Sequence, residues 1–152
     1  MAGRSEARRF ALQMLYLFDQ NPEADQDRVL VALRKEFTDA ALREFAWSLI
    51  SGVIAARKEL DEVISRTATN WRLDRMAPTD RNVLRMGLYE MTHIGTPAAV
   101  VIDESIEIAR EFGTEHSSSF VNGILDKLIP VSPAVERTRV RLPRSPEMAL
   151  QI

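Results

Sequence analysis

Arg4-Ser-Glu-Ala-Arg-Arg-Phe-Ala-Leu-Gln-Met-Leu-Tyr-Leu-Phe18 is the stretch from which the fold of this chain can be read. Ala7, Phe10, Ala11, Met14, Leu15 and Phe18 recur at i, i+3 and i+4, the spacing that gathers apolar side chains on one face of an α-helix. They predict a first amphipathic helix over about 5–20. Asn21-Pro22 ends it, because the residue before a proline avoids the helical region. The same rhythm runs on down the chain. Val29, Leu30 and Leu33 place a second helix over about 23–36, and Thr38 or Asp39 offers an N-cap for a third carrying Leu42, Phe45, Ala46, Leu49, Ile50 and Val53. Gly52 is read as a bend, with a further helix over about 58–70 built on Leu60, Val63 and Ile64.

Asn70-Trp71 to Pro78 reads as a connector, after which Thr79 or Asp80 caps a helix with Leu84, Gly87, Leu88 and Met91 inside. Gly95-Thr96-Pro97 breaks that helix. The next covers about 98–112 and closes at Gly113, placed as a C′ glycine, and a last covers about 116–129, before Pro130. Apart from a weak alternating stretch at 138–142, nothing has the period of a strand. The expected fold is all-α, with about seven helices. Pro130, Pro133, Pro143 and Pro146 crowd the end of the chain, and 131–152 holds no aromatic residue. A globular unit over 1–130 and a flexible tail over 131–152, carrying Arg137, Arg139, Arg141 and Arg144, are therefore expected.

The 152 residues suffice for one domain of ordinary composition, 45% hydrophobic and 28% charged. A formal net charge of -2 argues against bulk attraction to nucleic acid or to an anionic membrane, so any such binding needs a local patch. The basic residues are three lysines and seventeen arginines, a bias that suits planar recognition of phosphates and carboxylates. The absence of cysteine rules out disulfides, thiolate metal sites and cysteine nucleophiles. No apolar run is long enough to span a membrane and no signal-peptide pattern opens the chain, so a cytoplasmic protein is expected.

Chemistry-bearing constellations are few. Glu90-Met-Thr-His93 has the Glu-x-x-His spacing of di-iron bundles, but such a site needs a second copy, and His116 does not supply one. A capping or surface histidine is the better reading. Asp103, Glu104, Glu107 and Glu111 form an acidic ridge that reads as a solvated helix face rather than acid–base machinery. No glycine-rich phosphate loop, nucleophile triad or metal-ligand spacing appears, so neither enzyme, cofactor nor metal is expected.

The first helix says more. Arg4 and Arg8 flank its apolar stripe, while Ser5, Arg9, Leu12 and Tyr16 line the other side. Arginines and a tyrosine together suit phosphates and bases, which makes this an RNA- or partner-binding face, set against the plainer reading of a solvated face whose leucine a neighbour covers. On the last helix Phe120, Gly123 and Lys127 share an edge beside Val121, Ile124 and Leu128, where Phe120 reads as an edge of the core.

These blocks resemble a known family. Arg8-Arg9-Phe-Ala-Leu-Gln-Met-Leu-Tyr16 is similar to the opening of the NusB family of bacterial transcription antitermination factors. Arg81-Asn-Val-Leu-Arg-Met-Gly-Leu-Tyr-Glu90 resembles its middle helix. Pro97-Ala-Ala-Val-Val-Ile-Asp-Glu104, with Phe120-Val-Asn-Gly-Ile-Leu-Asp126, resembles its C-terminal signature. The resemblance implies two packed helical subdomains and no enzymatic activity. It further implies binding of the boxA sequence in ribosomal RNA leaders together with NusE, a small-subunit ribosomal protein, within an RNA polymerase antitermination complex. By the same resemblance Arg4, Arg8, Arg9, Tyr16 and Phe120 are RNA-binding candidates and Tyr16 and Asp80 partner-binding candidates; the shared helix faces add Lys127 to the first set and Leu12 to the second. Ser5 and Glu6 depart from the family, where many members carry further basic residues, so the basic segment is thin.

Two other readings compete. A NusB-like N-terminal domain of an RNA cytosine methyltransferase ranks lower, since 152 residues leave no room for a catalytic domain and no cysteine is present. A helical adaptor that binds a protein without RNA is compatible with the thin basic segment. Whether the free protein forms a homodimer is left open by the sequence.

Overall fold

A computed structural model describes residues 3–129, and the tail expected over 131–152 lies outside the described residues. Among the described residues there are six α-helices and no strand: α1 (Arg4–Gln20), α2 (Gln26–Glu36), α3 (Ala40–Thr67), α4 (Pro78–Tyr89), α5 (Ala98–Phe112) and α6 (Ser117–Leu128). A 3-10 turn over Leu73–Arg75 links α3 to α4. The expectation was about seven helices, and the difference lies in α3.

Gly52 does not bend α3. The helix runs unbroken for 28 residues, about 42 Å. The glycine is there for another reason: a Cβ at this position would lie 2.1 Å from Cζ and Oη of Tyr89. A glycine inside a helix costs about 1 kcal/mol relative to alanine, a penalty that packing of the α4 tyrosine against the α3 backbone offsets. Asp39 caps α3, accepting from the N–H groups of Ala41 and Leu42. Asp25 caps α2 by accepting from Asp27, which moves the start of α2 three residues beyond the sequence expectation of 23.

The opening of α4 also differs from expectation. Pro78 is its first residue, and neither Thr79 nor Asp80 caps it; Asp80 sits in the first turn, where a negative charge is favoured by the helix dipole. From Asn82 to Leu88 every residue of α4 is buried. It is the central helix, touching α1, α3, α5 and α6. Gly87 admits the α5 and α6 neighbours, since a Cβ there would sit 3.1 Å from Leu125 and 3.3 Å from Ser105. Helices α1 to α3 pack together, as do α4 to α6, and α4 joins the two sets, which agrees with the two packed subdomains that the family resemblance implied.

Beyond Tyr89 the helix widens into a π turn over Glu90–Ile94, and Gly95 ends it in the left-handed conformation at φ 85°. The Glu90 carbonyl accepts from both Gly95 and Thr96 N–H. The left-handed helix-ending glycine is therefore Gly95, whereas Gly113, expected in that role, is extended (φ -98°, ψ -161°).

Candidate functional site

The N-terminal half of α1 carries three arginines, and the fold gives them different environments. Arg8, expected to face RNA, is only 4% exposed. Its Nε and Nη2 donate to the two carboxylate oxygens of Glu90 at 2.9 and 2.6 Å, and its Nη1 lies 3.4 Å from Glu104. Arg8 is thus corrected from a surface contact to one half of a buried bidentate pair. Burial alone would lower its pKa, but the hydrogen bond and charge of Glu90, with Glu104, outweigh that and raise it. The guanidiniums of Arg8 and Arg4 lie 5.2 and 4.7 Å from the centroid of the Phe45 ring. Arg4 is half-buried beside that ring.

Arg9 stays at the surface and donates to Glu111 at 2.6 Å, with Glu6 3.6 Å away. Ser5 donates to Glu104. The acidic ridge of α5 is therefore not simply solvated: Glu104 and Glu111 face α1 and answer its basic residues. The carboxylates come from distant parts of the chain, Glu90 after α4 with Glu104 of α5 for Arg8 and Glu111 of α5 for Arg9.

Further along α1, Tyr16 is 44% exposed while Leu12 is 2% exposed. Leu12 is a core residue rather than an open contact, as the plainer reading of that face had it. Its edge, with Gln13, Tyr16, Thr79 and Phe112, lines a pocket of about 310 Å³ between α1, the start of α4 and the end of α5. Asp80 follows Thr79 directly, so the three partner-binding candidates converge on this end of the bundle. Asp80 is half-buried, and its Oδ1 is buried with no hydrogen-bond partner among the described residues. An acceptor in that state is costly unless something donates to it.

The candidates on α6 lie on another face. Phe120 is half-buried and Lys127 exposed, with Gly123 between them opening onto free space. Phe120 meets Trp71 edge to face, ring centroids 5.1 Å apart. Trp71 is 58% exposed and was passed over in the sequence as part of a connector; a tryptophan in a polar linker was the available signal.

The sequence also missed Asp19. Its carboxylate, at the end of α1, accepts from Arg57, Arg81 and Asn82, with Arg85 3.5 Å away. Burial pushes the Asp19 pKa up, but hydrogen bonds from Arg81 and Asn82 and the arginine charges hold it below the ordinary carboxylate value. Arg85 in turn grips Asp61 with two hydrogen bonds. This network ties α1 and α3 to α4.

Glu90 and His93 do not make a ligand pair. Glu90 is committed to Arg8, while His93 is exposed, stacks on Tyr89 at 4.6 Å and has Nδ1 2.8 Å from Thr92 Oγ1. Among the described residues no group of three or more His, Asp or Glu side chains could hold a metal ion, and no helix is long and apolar enough to cross a membrane.

The family model described as "NusB family" matches residues 5–130. The transcription antitermination protein NusB of Solibacter usitatus is 39% identical over 144 residues, covering 93% of this chain and 99% of that protein. The T. maritima NusB structure superposes with a TM-score of 0.82 at 34% identity, covering 92% of this chain and 99% of that one. The crystal structure of antitermination factors NusB and NusE in complex with dsRNA superposes with a TM-score of 0.76, over 84% of this chain and 96% of that one. Its identity is 23%, so that likeness is one of fold. With a family match from the first turn of α1 to just past α6, and a relative matched over nearly its full length, this chain belongs to the NusB family.

Proposed function

We propose that this protein is a non-enzymatic, cytoplasmic antitermination factor that binds boxA RNA of ribosomal RNA leaders together with NusE, within an RNA polymerase antitermination complex. The observation that carries the reading is the pocket of Leu12, Gln13, Tyr16, Thr79 and Phe112, at whose rim Tyr16 stays 44% exposed. A half-exposed tyrosine at the rim of a small pocket with apolar walls is the kind of anchor that a protein partner covers. NusE is the partner in the superposed NusB–NusE–dsRNA structure. RNA is assigned to Arg4 and Arg9 on α1 and to Phe120 and Lys127 on α6. Arg8 acts through the fold, by fixing α1 against Glu90 and Glu104.

The test is titration of boxA RNA with and without NusE, against a scrambled RNA. The expected result is tighter RNA binding in the presence of NusE, with boxA preferred. RNA binding that ignores both NusE and sequence would overturn the reading. A helical adaptor that binds NusE alone is the second reading. It is favoured by the carboxylates that already occupy Arg8 and Arg9, and it predicts NusE binding that RNA leaves unchanged.

A further inference from the structure

We propose that Trp71 and the arginine-lined cleft beside it form a second nucleotide-binding station, continuing an RNA path from Phe120 towards α3. The inference rests on the RNA-binding reading above and adds a site to it.

Three observations meet here. Trp71 leaves more than half of its surface open while holding Phe120 edge to face. An exposed indole that packs on a second ring is a fixed stacking plane, and it commits little side-chain entropy when a base arrives. Trp71 also lines a cleft of about 650 Å³ between the C-terminal half of α3 and the Leu73–Arg75 turn. Four arginines line that cleft, Arg57, Arg72, Arg81 and Arg85, against Asp61 and Asp74. Aromatic plane and arginine cluster are thus contiguous, which is the arrangement that takes a base and its phosphate together.

Two of those arginines can change partner cheaply. Arg72 is paired with Asp74 at 2.9 Å, but both side chains are about two-thirds exposed. Ion pairs in water contribute little, so a phosphate can displace the carboxylate. Arg57 donates to Asp19 at 3.0 Å from a side chain that is still well exposed. Asp19 keeps bonds from Arg81 and Asn82 when Arg57 leaves, so no buried carboxylate is stranded. Arg81 and Arg85 are held more deeply by Asp19 and Asp61 and keep the cleft wall in place when the two outer groups move. A single-stranded RNA, whose bases are free to splay onto an aromatic plane, fits this surface better than a duplex does.

The experiment uses the full chain with NusE and measures binding of boxA RNA by the Trp71→Leu, Trp71→Phe and Arg57→Gln/Arg72→Gln variants. Single abasic nucleotides are placed along the RNA, and circular dichroism checks folding. Trp71→Leu should weaken RNA binding about fivefold to a hundredfold, with Trp71→Phe recovering part of it. One abasic position should cost the wild type affinity and cost Trp71→Leu nothing more. The arginine pair should lower the log–log salt slope by about 0.7 for each lost phosphate contact. RNA should also quench a tryptophan signal that is absent in Trp71→Phe. If Trp71→Leu binds RNA as the wild type does, the station does not exist, although the wider RNA-binding reading stands. Loss of NusE affinity in the absence of RNA would make this a protein-docking surface and overturn the proposal. Failure of the wild-type complex to bind RNA at all would remove both readings.

Discussion

Arg8→Ala should be a folding defect before it is a binding defect. The substitution deletes both donors to Glu90, a carboxylate whose side chain is 2% exposed, and the third contact to Glu104 goes with them. Breaking a buried pair from one side costs about 3–5 kcal/mol, because the remaining charge has neither water nor partner. The loss of the guanidinium packed near the Phe45 ring adds to this. Against a total stability of roughly 5–15 kcal/mol, that is a large fraction. In a domain of this size it corresponds to a fall in Tm of roughly 6–20 °C.

The paired variant Arg8→Met/Glu90→Leu removes charge from both sides and fills the space with apolar atoms. It should lie within about 2 kcal/mol of wild type, since a buried ion pair is often replaceable as a unit. Urea unfolding of the wild type, both single variants and the double variant gives the coupling energy directly, provided that the m-values agree. A coupling of about 2 kcal/mol or more is expected. A value near zero, or an Arg8→Ala protein as stable as wild type, would refute the structural role. The folded double variant then serves in an RNA titration. A salt slope lower by about 0.7 would return Arg8 to the RNA surface, and an unchanged slope would leave it in the core.

The Asp19 pKa is depressed below its ordinary 3.8, so its stabilising effect is full above that value and is lost as pH falls through the lower folded value. Asp19→Asn should therefore destabilise at neutral pH and flatten the acid limb of a stability–pH profile, measured by denaturant midpoints from pH 2 to 7. Gly52→Ala should destabilise by about 1–3 kcal/mol despite the better helix propensity of alanine, because the new methyl group meets the Tyr89 ring. Adding Tyr89→Leu should recover much of that loss in thermal melts. Tyr16→Ala should leave stability within about 0.5 kcal/mol and weaken NusE binding by roughly tenfold to a hundredfold in calorimetry, if the exposed ring is the partner contact proposed. Truncation after Pro130 should reduce affinity for boxA and for scrambled RNA by similar factors, as an unspecific arginine-bearing arm would.

Which parts of this structure were legible in the sequence follows from the range of each signal. The apolar stripe of α1 is local, and Ala7, Ala11, Leu15 and Phe18 are buried where the periodicity placed them. Gly52 reads as a bend in the sequence only for want of a distant fact. A glycine inside a helical pattern looks like a bend until Tyr89, on another helix, is known to occupy the space. The pairing of Arg8 was hidden in the same way, since Glu90 lies 82 residues away in sequence. Glu90 did attract notice, but the Glu-x-x-His spacing suggested a metal and not an arginine. In α4 the buried run from Asn82 to Leu88 includes a buried asparagine and a buried arginine. Amphipathic periodicity has no means of foreseeing that both faces of a helix are covered.

The arrangement of charge explains why the thin basic segment at the N-terminus need not weaken the functional reading. The arginines of α1 are largely neutralised within the fold, Arg8 by Glu90 and Arg9 by Glu111. A protein of net charge -2 built in this way has little unspecific pull on RNA. Its contacts can then be made strong only where geometry supplies several at once, or where a bound partner adds cationic surface next to its own. The first condition points to the Phe120 and Trp71 rings with their neighbouring arginines, the second to the Tyr16–Asp80 end of the bundle. Linkage couples the two: if NusE tightens RNA by a given factor, RNA must tighten NusE by the same factor. If the protein binds RNA as proposed, internal neutralisation suppresses binding to arbitrary RNA and leaves affinity dependent on the partner. On the proposed function, that dependence would supply selectivity that a more basic helix would lose.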